Sequence, residues 1–242
     1  MAYQNNYVVV IPSRSPENLT ACLTAIEDNQ PDADVIVVDN SRDSSLNQFF
    51  PKSIGLYFGV DYIPYRDLRG GSKDWTKGFV FADAVNMGIG RAGRTKDVIV
   101  MNDDALLETP EGFDQLKAAE EDHDGLISAT VRGVVGNPDQ SNKGADYLSW
   151  TDRHLAFICV YISQSLIRRV GLLDTRFTGY GWEDTDYCER VKRAGGGWFV
   201  EGKCVVEHGL TLKSTYRDNG TPPDFEEGKR KFLEKWPDVV LP

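Results

Sequence analysis

Hydrophobic and polar positions alternate along this chain in a way that separates strands from helices. Val8 to Ile11 is a run of β-branched residues closed by Pro12, the pattern of a strand buried on both faces. SPENLTACLTAIEDN follows with Leu19, Cys22, Leu23 and Ile26 at helical spacing, opened by Ser15 or Pro16. A second buried strand, Val35 to Ser41, ends in Asp39, Asn40 and Ser41. Two such strands joined by one helix form a right-handed βαβ unit, whose ligands bind beyond the carboxyl ends of the strands. Ile54 to Ile63 reads as one or two further strands, and a helix is expected from Phe79 to Gly88 or Gly90. A third buried strand, Val98 to Met101, runs into Asn102, Asp103 and Asp104. Beyond it the pattern predicts a surface helix over Pro110 to Glu121, a strand over Gly125 to Val135, a long polar loop, and a strand and short helix ending at Gly171. GYGWEDTDYCERVKRAG then gives a helix with Tyr187, Cys188, Val191 and Ala194 on one stripe, stopped by Gly195. GGWFVEGKCVVEHG reads as a hairpin-like pair of strands, the second ending at His208, and a last helix is expected from about Pro223 to Trp236.

This is the alternation of an α/β protein. The 242 residues, 40% hydrophobic, suffice for one large α/β domain or two small ones. Four cysteines without a CxxC pair argue against a disulfide framework and favour a reduced, cytoplasmic setting. No apolar stretch approaches the roughly 20 residues of a transmembrane helix, and the first residues carry no basic, apolar leader, so a soluble protein is expected. The net charge of −10 disfavours non-specific attraction to nucleic acid or anionic lipid, although a local basic patch could still meet either, and it points to a small or neutral ligand.

Candidate chemistry clusters where the strands end. Asn102, Asp103 and Asp104 offer hard oxygen ligands suited to Mg²⁺ or Mn²⁺; a plain Asx turn is the alternative. Asp39 and Asn40 either meet a ligand beside Pro12 to Arg14 or cap a turn. Glu183, Asp184 and Asp186 fall in the first turn of a helix, where unpaired N–H groups stabilise carboxylates, and a carboxylate held there is equally a candidate general base. Tyr180 and Trp182 beside them offer flat faces of the kind that pack on sugar rings. His208, at a strand end in a chain with three histidines, is either structural or a metal ligand. The loop around Gly70 and Gly71 carries Arg66, Arg69, Lys73 and Lys77, a set that could meet phosphate or simply face water. The segment from Asn137 to Trp150 is long enough to be a functional loop.

Four pieces, VVVIPSR, VIVVDNS, the strand into NDDA, and GLLDTRFTGYGWEDTDYCERVKRAG, together resemble a glycosyltransferase of family 2, with its rhamnosyltransferase-like members the nearest in pattern. The resemblance spans Val8 to about His208 and implies the GT-A nucleotide-sugar-binding fold: a mostly parallel central sheet flanked by helices, with a smaller mixed sheet. It implies one domain over residues 1–242, with a nucleotide-binding part to about 104, an acceptor and catalytic part over about 105–210, and a lid loop and helix over 211–242. Position by position it implies that Pro12, Ser13 and Arg14 line the nucleotide, that Asp39 accepts from the base, and that Asn40 lies near the ribose. Asn102, Asp103 and Asp104 fall on the acidic metal motif, with Asn102 in place of its first acid and Asp104 as the expected ligand of Mn²⁺ or Mg²⁺. His208 completes the metal site, Asp184 is the general base, and Glu183 lies beside it at the acceptor with Trp182, Tyr180 and Trp150. An arginine often found before the metal strand is absent from Ala84, Val85 and Asn86, which leaves the diphosphate charge to the metal or to Lys77.

The expected activity is inverting, metal-dependent transfer of a hexose from a UDP- or TDP-sugar to the hydroxyl of a glycan or other acceptor. A nucleotidyltransferase is the enzymatic rival, but IPSRSPEN lacks a glycine-rich triphosphate loop. A non-catalytic sugar-nucleotide or glycan-binding module is the rival of another class.

Overall fold

The computed structural model describes residues 5–39, 60–64, 80–133, 135–141, 147–178, 181–212 and 222–241. Among the described residues nine strands, β1 (Tyr7–Ser13), β2 (Val35–Asp39), β3 (Asp61–Pro64), β4 (Asp97–Met101), β5 (Ala105–Leu107), β6 (Gly125–Gly133), β7 (Leu148–Trp150), β8 (Cys159–Ile162) and β9 (Gly197–His208), form one sheet. Its order is β3-β2-β1-β4-β8-β6-β9-β5, with β7 on the first half of β9. β3, β2, β1 and β4 are mutually parallel. β8 is antiparallel to both β4 and β6, while β9 is parallel to β6, so the mixed strands continue the parallel half within a single sheet. The carboxyl ends of β1, β2, β3, β4, β6 and β9 therefore open on the same edge.

The helices are α1 (Pro16–Asn29), α2 (Phe81–Ala92), α3 (Gly112–Asp122), α4 (Gln164–Val170), α5 (Glu183–Arg193) and α6 (Pro222–Lys235). They cover both faces, which is why the central strands are apolar at every position instead of alternating. In β1, Tyr7, Val9 and Ile11 pack in the core that holds Leu19, Cys22, Leu23 and Ile26 of α1, whereas Val8 and Val10 pack in the core that holds Val85 and Ile89 of α2. β2, β4 and β8 divide their side chains between the same two cores. Each fully buried Val, Leu or Ile contributes about 1.5–3 kcal/mol, so this double burial sets the register of the parallel half.

Capping fixes the helix ends. Ser15 Oγ accepts the Asn18 amide at 3.3 Å to start α1. At the end of α5, Gly195 takes a positive φ of 85°, and the amides of Gly196 and Gly195 return to Val191 O and Lys192 O, each at 3.0 Å.

β5 and β7 are additional to the expected strands, and two expected elements change. α2 runs through Gly88 and Gly90 to Ala92, because Gly88 is a contact residue: a Cβ there would lie 2.2 Å from Val10 Cγ1. The segment expected as a hairpin is one strand, β9, which pairs with β6 along both of its halves. Gly202, in the middle of that segment, lies in a bulge: Ala129 pairs with Glu201 and Thr130 with Val205, leaving Gly202, Lys203 and Cys204 opposite no residue of β6. Among the described residues no helix is long and apolar enough to cross a membrane.

The Gly88 contact has a testable consequence. Gly88→Ala should destabilise the protein by about 1–3 kcal/mol through overpacking against β1. Gly90→Ala, where a Cβ meets nothing within 4 Å, should stabilise it by up to about 1 kcal/mol. Urea unfolding of the two variants checks both signs, and equal midpoints would contradict this packing of α2.

Candidate active site

The site is built outward from the turn after β4. Pairing of β1 with β4 ends at Val10, whereas pairing of β1 with β2 continues to Ser13. Beyond the end of the β1–β4 ladder, the Asp103 carboxylate takes over as the link. It accepts Ser13 Oγ at 2.6 Å and the backbone amides of Arg14 and Ser15, and is 4% exposed. Burial pushes its pKa up to about 6, aided by the neighbouring Asp104 charge and opposed by these donors. Asp103 thus binds the β1–α1 loop to the β4–β5 turn. Asp104 turns the other way, to His208, with Oδ1 to Nε2 at 3.3 Å. That proximity follows from the sheet, since antiparallel pairing sets Ala105 opposite His208.

Asp104 and His208 supply one carboxylate and one imidazole, a donor pair that fits Mn²⁺ or Mg²⁺. Such ions take few protein ligands when substrate phosphates and water complete their coordination. Among the described residues no group of three or more His, Cys, Asp or Glu side chains could hold a metal ion by itself. The pair therefore suits an open, substrate-completed site and not a closed structural one.

Asp39 ends β2 level with Ser13 of β1, is buried, and accepts the Tyr62 hydroxyl of β3. Burial and this bond raise the Tyr62 pKa above its ordinary value. Pro12 and Ser13 are the last residues of β1, and Arg14, half-buried, follows them. Asn40, Lys77 and Tyr180 lie outside the described residues.

The acidic turn comes from α5. Gly181 and Trp182 precede it with φ of 83° and 78°, and Trp182, the N-cap, supplies no side-chain cap. Asp184 accepts the Thr185 amide at 2.7 Å and the Phe157 amide, so it serves a first-turn N–H while being tied to the segment before β8. Burial raises the Asp184 pKa, and burial with the Asp184 charge raises that of Glu183 well above the ordinary carboxylate range. Glu183 Oε2 is buried with no hydrogen-bond partner among the described residues. Asp186, the third acid, is structural: fully buried, it accepts Arg190 Nε at 2.9 Å, Trp236 Nε1 at 2.9 Å and Lys235 Nζ at 2.6 Å.

The two acid groups meet through residues 156–158. Asn102 donates its amide to Ile158 O at 2.9 Å, and Phe157 donates to Asp184. Gln140 holds this segment from behind: its Oε1 accepts the Ala156 amide at 2.7 Å, and its Nε2 donates to Ala156 O at 2.9 Å and Ser128 Oγ at 2.7 Å.

No protein-family model matches the chain, and no curated protein matches it by sequence. Solved structures do. A crystal structure of GalNAc-T7 with UDP, GalNAc and Mn²⁺ matches with a TM-score of 0.73 at 14% identity, over 96% of this chain and 48% of that one. S. aureus TarS matches with 0.65 at 15% identity over 98% and 40%, and its 1–349 fragment with 0.61 at 14% identity over 98% and 66%. The chain has the GT-A fold. It spans less than two thirds of each of these three chains.

Within the GT-A fold, Ser13, Asp39, Asn102, Asp103, Asp104 and His208 share the sheet edge, and residues 156–158 link that edge to Asp184 and the adjacent Glu183. Of the two expected tryptophan faces, that of Trp182 is covered and that of Trp150 lies away from His208. Trp182 is 9% exposed because Phe225 and Phe232 cover it, each with its ring centroid 5.3 Å away. Trp150 is exposed but pairs with Phe199; Phe199 and His208 are partnered on β6 by Ile127 and Gly133, six residues or about 20 Å apart. Gln140 escaped the sequence reading because a glutamine in a polar loop carries no sign that it is fully buried.

Gln140→Ala leaves the Ala156 amide without its partner and removes one of the two donors to the Ala156 carbonyl, the other being the Ile158 amide at 2.9 Å. The expected loss of stability is about 2–4 kcal/mol, with faster amide exchange at Phe157. A loss below about 1 kcal/mol with unchanged exchange would contradict the anchoring role.

Proposed function

We propose that this protein is a divalent-metal-dependent, inverting glycosyltransferase, resembling the rhamnosyltransferase-like members of family 2, that transfers a hexose from a UDP- or TDP-sugar to a hydroxyl of a glycan or other acceptor. The observation that carries this reading is the connected set of acids at one end of a GT-A sheet: Asp104 facing His208 at 3.3 Å, and Asp184 tied through Phe157 to the segment that meets Asn102. The GalNAc-T7 structure with UDP and Mn²⁺ supports the same ligand chemistry. In this reading residues to about 104 serve the donor, those over about 105–210 the acceptor, and 211–242 a C-terminal loop and helix, all in one domain. Four buried, free cysteines favour a reducing, cytoplasmic setting.

A metal ion bound by Asp104 and His208 would neutralise the charge that develops on the departing diphosphate. Asp39 accepts from the nucleotide base, while Ser13 and Arg14 line the nucleotide on the loop fixed by Asp103. Asp184 removes the proton from the acceptor hydroxyl as its oxygen bonds to the anomeric carbon. The anomeric C–O bond to the diphosphate breaks, and its electron pair leaves with the nucleotide. Burial raises the Asp184 pKa and so makes it a stronger base than an exposed aspartate. Burial and its neighbour's charge raise the Glu183 pKa, which favours its protonated form, and in that form it offers a hydroxyl donor to the acceptor. One displacement inverts the anomeric centre.

Asp184→Asn keeps the shape and removes the base. With a panel of UDP- and TDP-hexoses and glycan acceptors, turnover should fall about 10²–10⁴-fold while stability stays within about 1 kcal/mol of the parent. In the parent, turnover should rise with pH through a pKa above the ordinary aspartate range, because only ionised Asp184 accepts the proton. Parental turnover in the variant, or retention of anomeric configuration by proton NMR of the first product, would overturn this assignment.

A further inference from the structure

The C-terminal helix touches the acidic turn at every level. Trp182 adopts a left-handed backbone conformation that a bulky residue holds only when its surroundings impose it. Those surroundings come from α6: Phe225 and Phe232 cover the indole, and the Gly228 backbone lies so close that a Cβ there would sit 2.7 Å from Trp182 Cδ1 and 3.4 Å from Gly181 O. Four residues after Trp182, Lys235 reaches Asp186 at 2.6 Å while also holding Asp174 at 2.7 Å. Trp236 closes the same cluster through its indole N–H, and Lys231 donates to Arg176 O at 3.0 Å. A helix more than 30 residues downstream thus grips both sides of the two residues that carry the proposed chemistry.

We infer that α6 sets the working position of Glu183 and Asp184, with Gly228 and Lys235 as positioning residues acting through Trp182 and Asp186. This rests on the reading of Asp184 as the general base. Gly228 is the informative residue. A glycine inside a helix costs stability relative to alanine, so Gly228→Ala should stabilise α6 unless its neighbour forbids the methyl group. Here the neighbour is the indole that shapes the turn.

The test compares Gly228→Ala, Trp182→Phe and the double variant. Its readouts are urea unfolding, ¹³C NMR titration of the Glu183 and Asp184 carboxyls, and turnover of UDP- and TDP-hexoses. Among the described residues the titratable groups facing these carboxyls are each other, His154 and the Cys188 thiol. Gly228→Ala should bring the Glu183 carboxyl back toward its ordinary range by about one unit or more. It should also lower turnover about tenfold or more with Mn²⁺·UDP affinity unchanged, and Trp182→Phe in the same chain should restore both. Should Gly228→Ala fail to fold, Phe225→Leu removes a covering ring without overpacking and is expected to shift the carboxyls and turnover in the same directions. Carboxyls that move while turnover holds would support the positioning by α6 and overturn the role of Asp184. A Gly228→Ala protein with a raised unfolding midpoint, parental carboxyl titrations and parental turnover would overturn the inference. If the parent turns over no sugar nucleotide, the titrations still decide it, and the transferase reading alone fails.

Discussion

The arrangement of this sheet edge depends on one buried carboxylate. Asp103 lies where the β1–β4 ladder has ended, and a buried carboxylate is costly unless donors surround it. It receives Ser13 Oγ and two amides of the following loop, and so pulls the first strand's loop onto the turn after β4. Because Asp103 is committed to that side, the adjacent Asp104 is directed to His208, and two neighbouring acids serve different purposes. Asp103 thereby links the end of β1, where the nucleotide is expected, directly to the turn that carries Asp104 of the proposed metal-ligand pair.

The α5 turn divides its acids in the same way. Asp186 is spent on structure, compensated by Arg190, Lys235 and Trp236, a degree of pairing that a fully buried charge requires. Among the described residues no lysine or arginine is paired with Glu183 or Asp184, His154 being the one basic group that faces Asp184, and burial raises both pKa values. A base needs that contrast: it must be fixed in place by a neighbour whose charge is already satisfied, yet keep its own affinity for a proton. The grip on Asp186 arrives from α6, at the far end of the described chain, and the grip on Asp184 from the Phe157 amide.

Local chemistry was readable where one residue's environment is set by its immediate neighbours. The β1–α1–β2 unit followed from β-branched runs around an amphipathic stripe, with Ser15 capping α1 as its position implied. Asp104 and His208 were readable as a pair only through the family resemblance, since 103 positions separate them, and the sheet supplies the reason they meet. Where several distant segments decide the environment, the pattern misled. GGWFVEGKCVVEHG looks like a hairpin, but a parallel neighbour pairs on both sides of Gly202 and turns the extra residues into a bulge. Trp182 beside two glycines resembles an open platform, and nothing near it in sequence shows that α6 lies across the indole. Gly88 reads as a helix end only until β1 is seen packed against it.

The central claim is that the edge bearing Asp104 and His208 binds a nucleoside diphosphate through a divalent ion. Isothermal titration of UDP and TDP with the parent, Asp104→Ala and His208→Ala, each with Mn²⁺ and with EDTA, tests it most directly. The account predicts binding by the parent only with Mn²⁺, none by Asp104→Ala, and affinity about tenfold or more weaker for His208→Ala, since each lost ligand leaves the diphosphate charge less compensated. Equal nucleotide affinity in all three proteins, unchanged by EDTA, would contradict it.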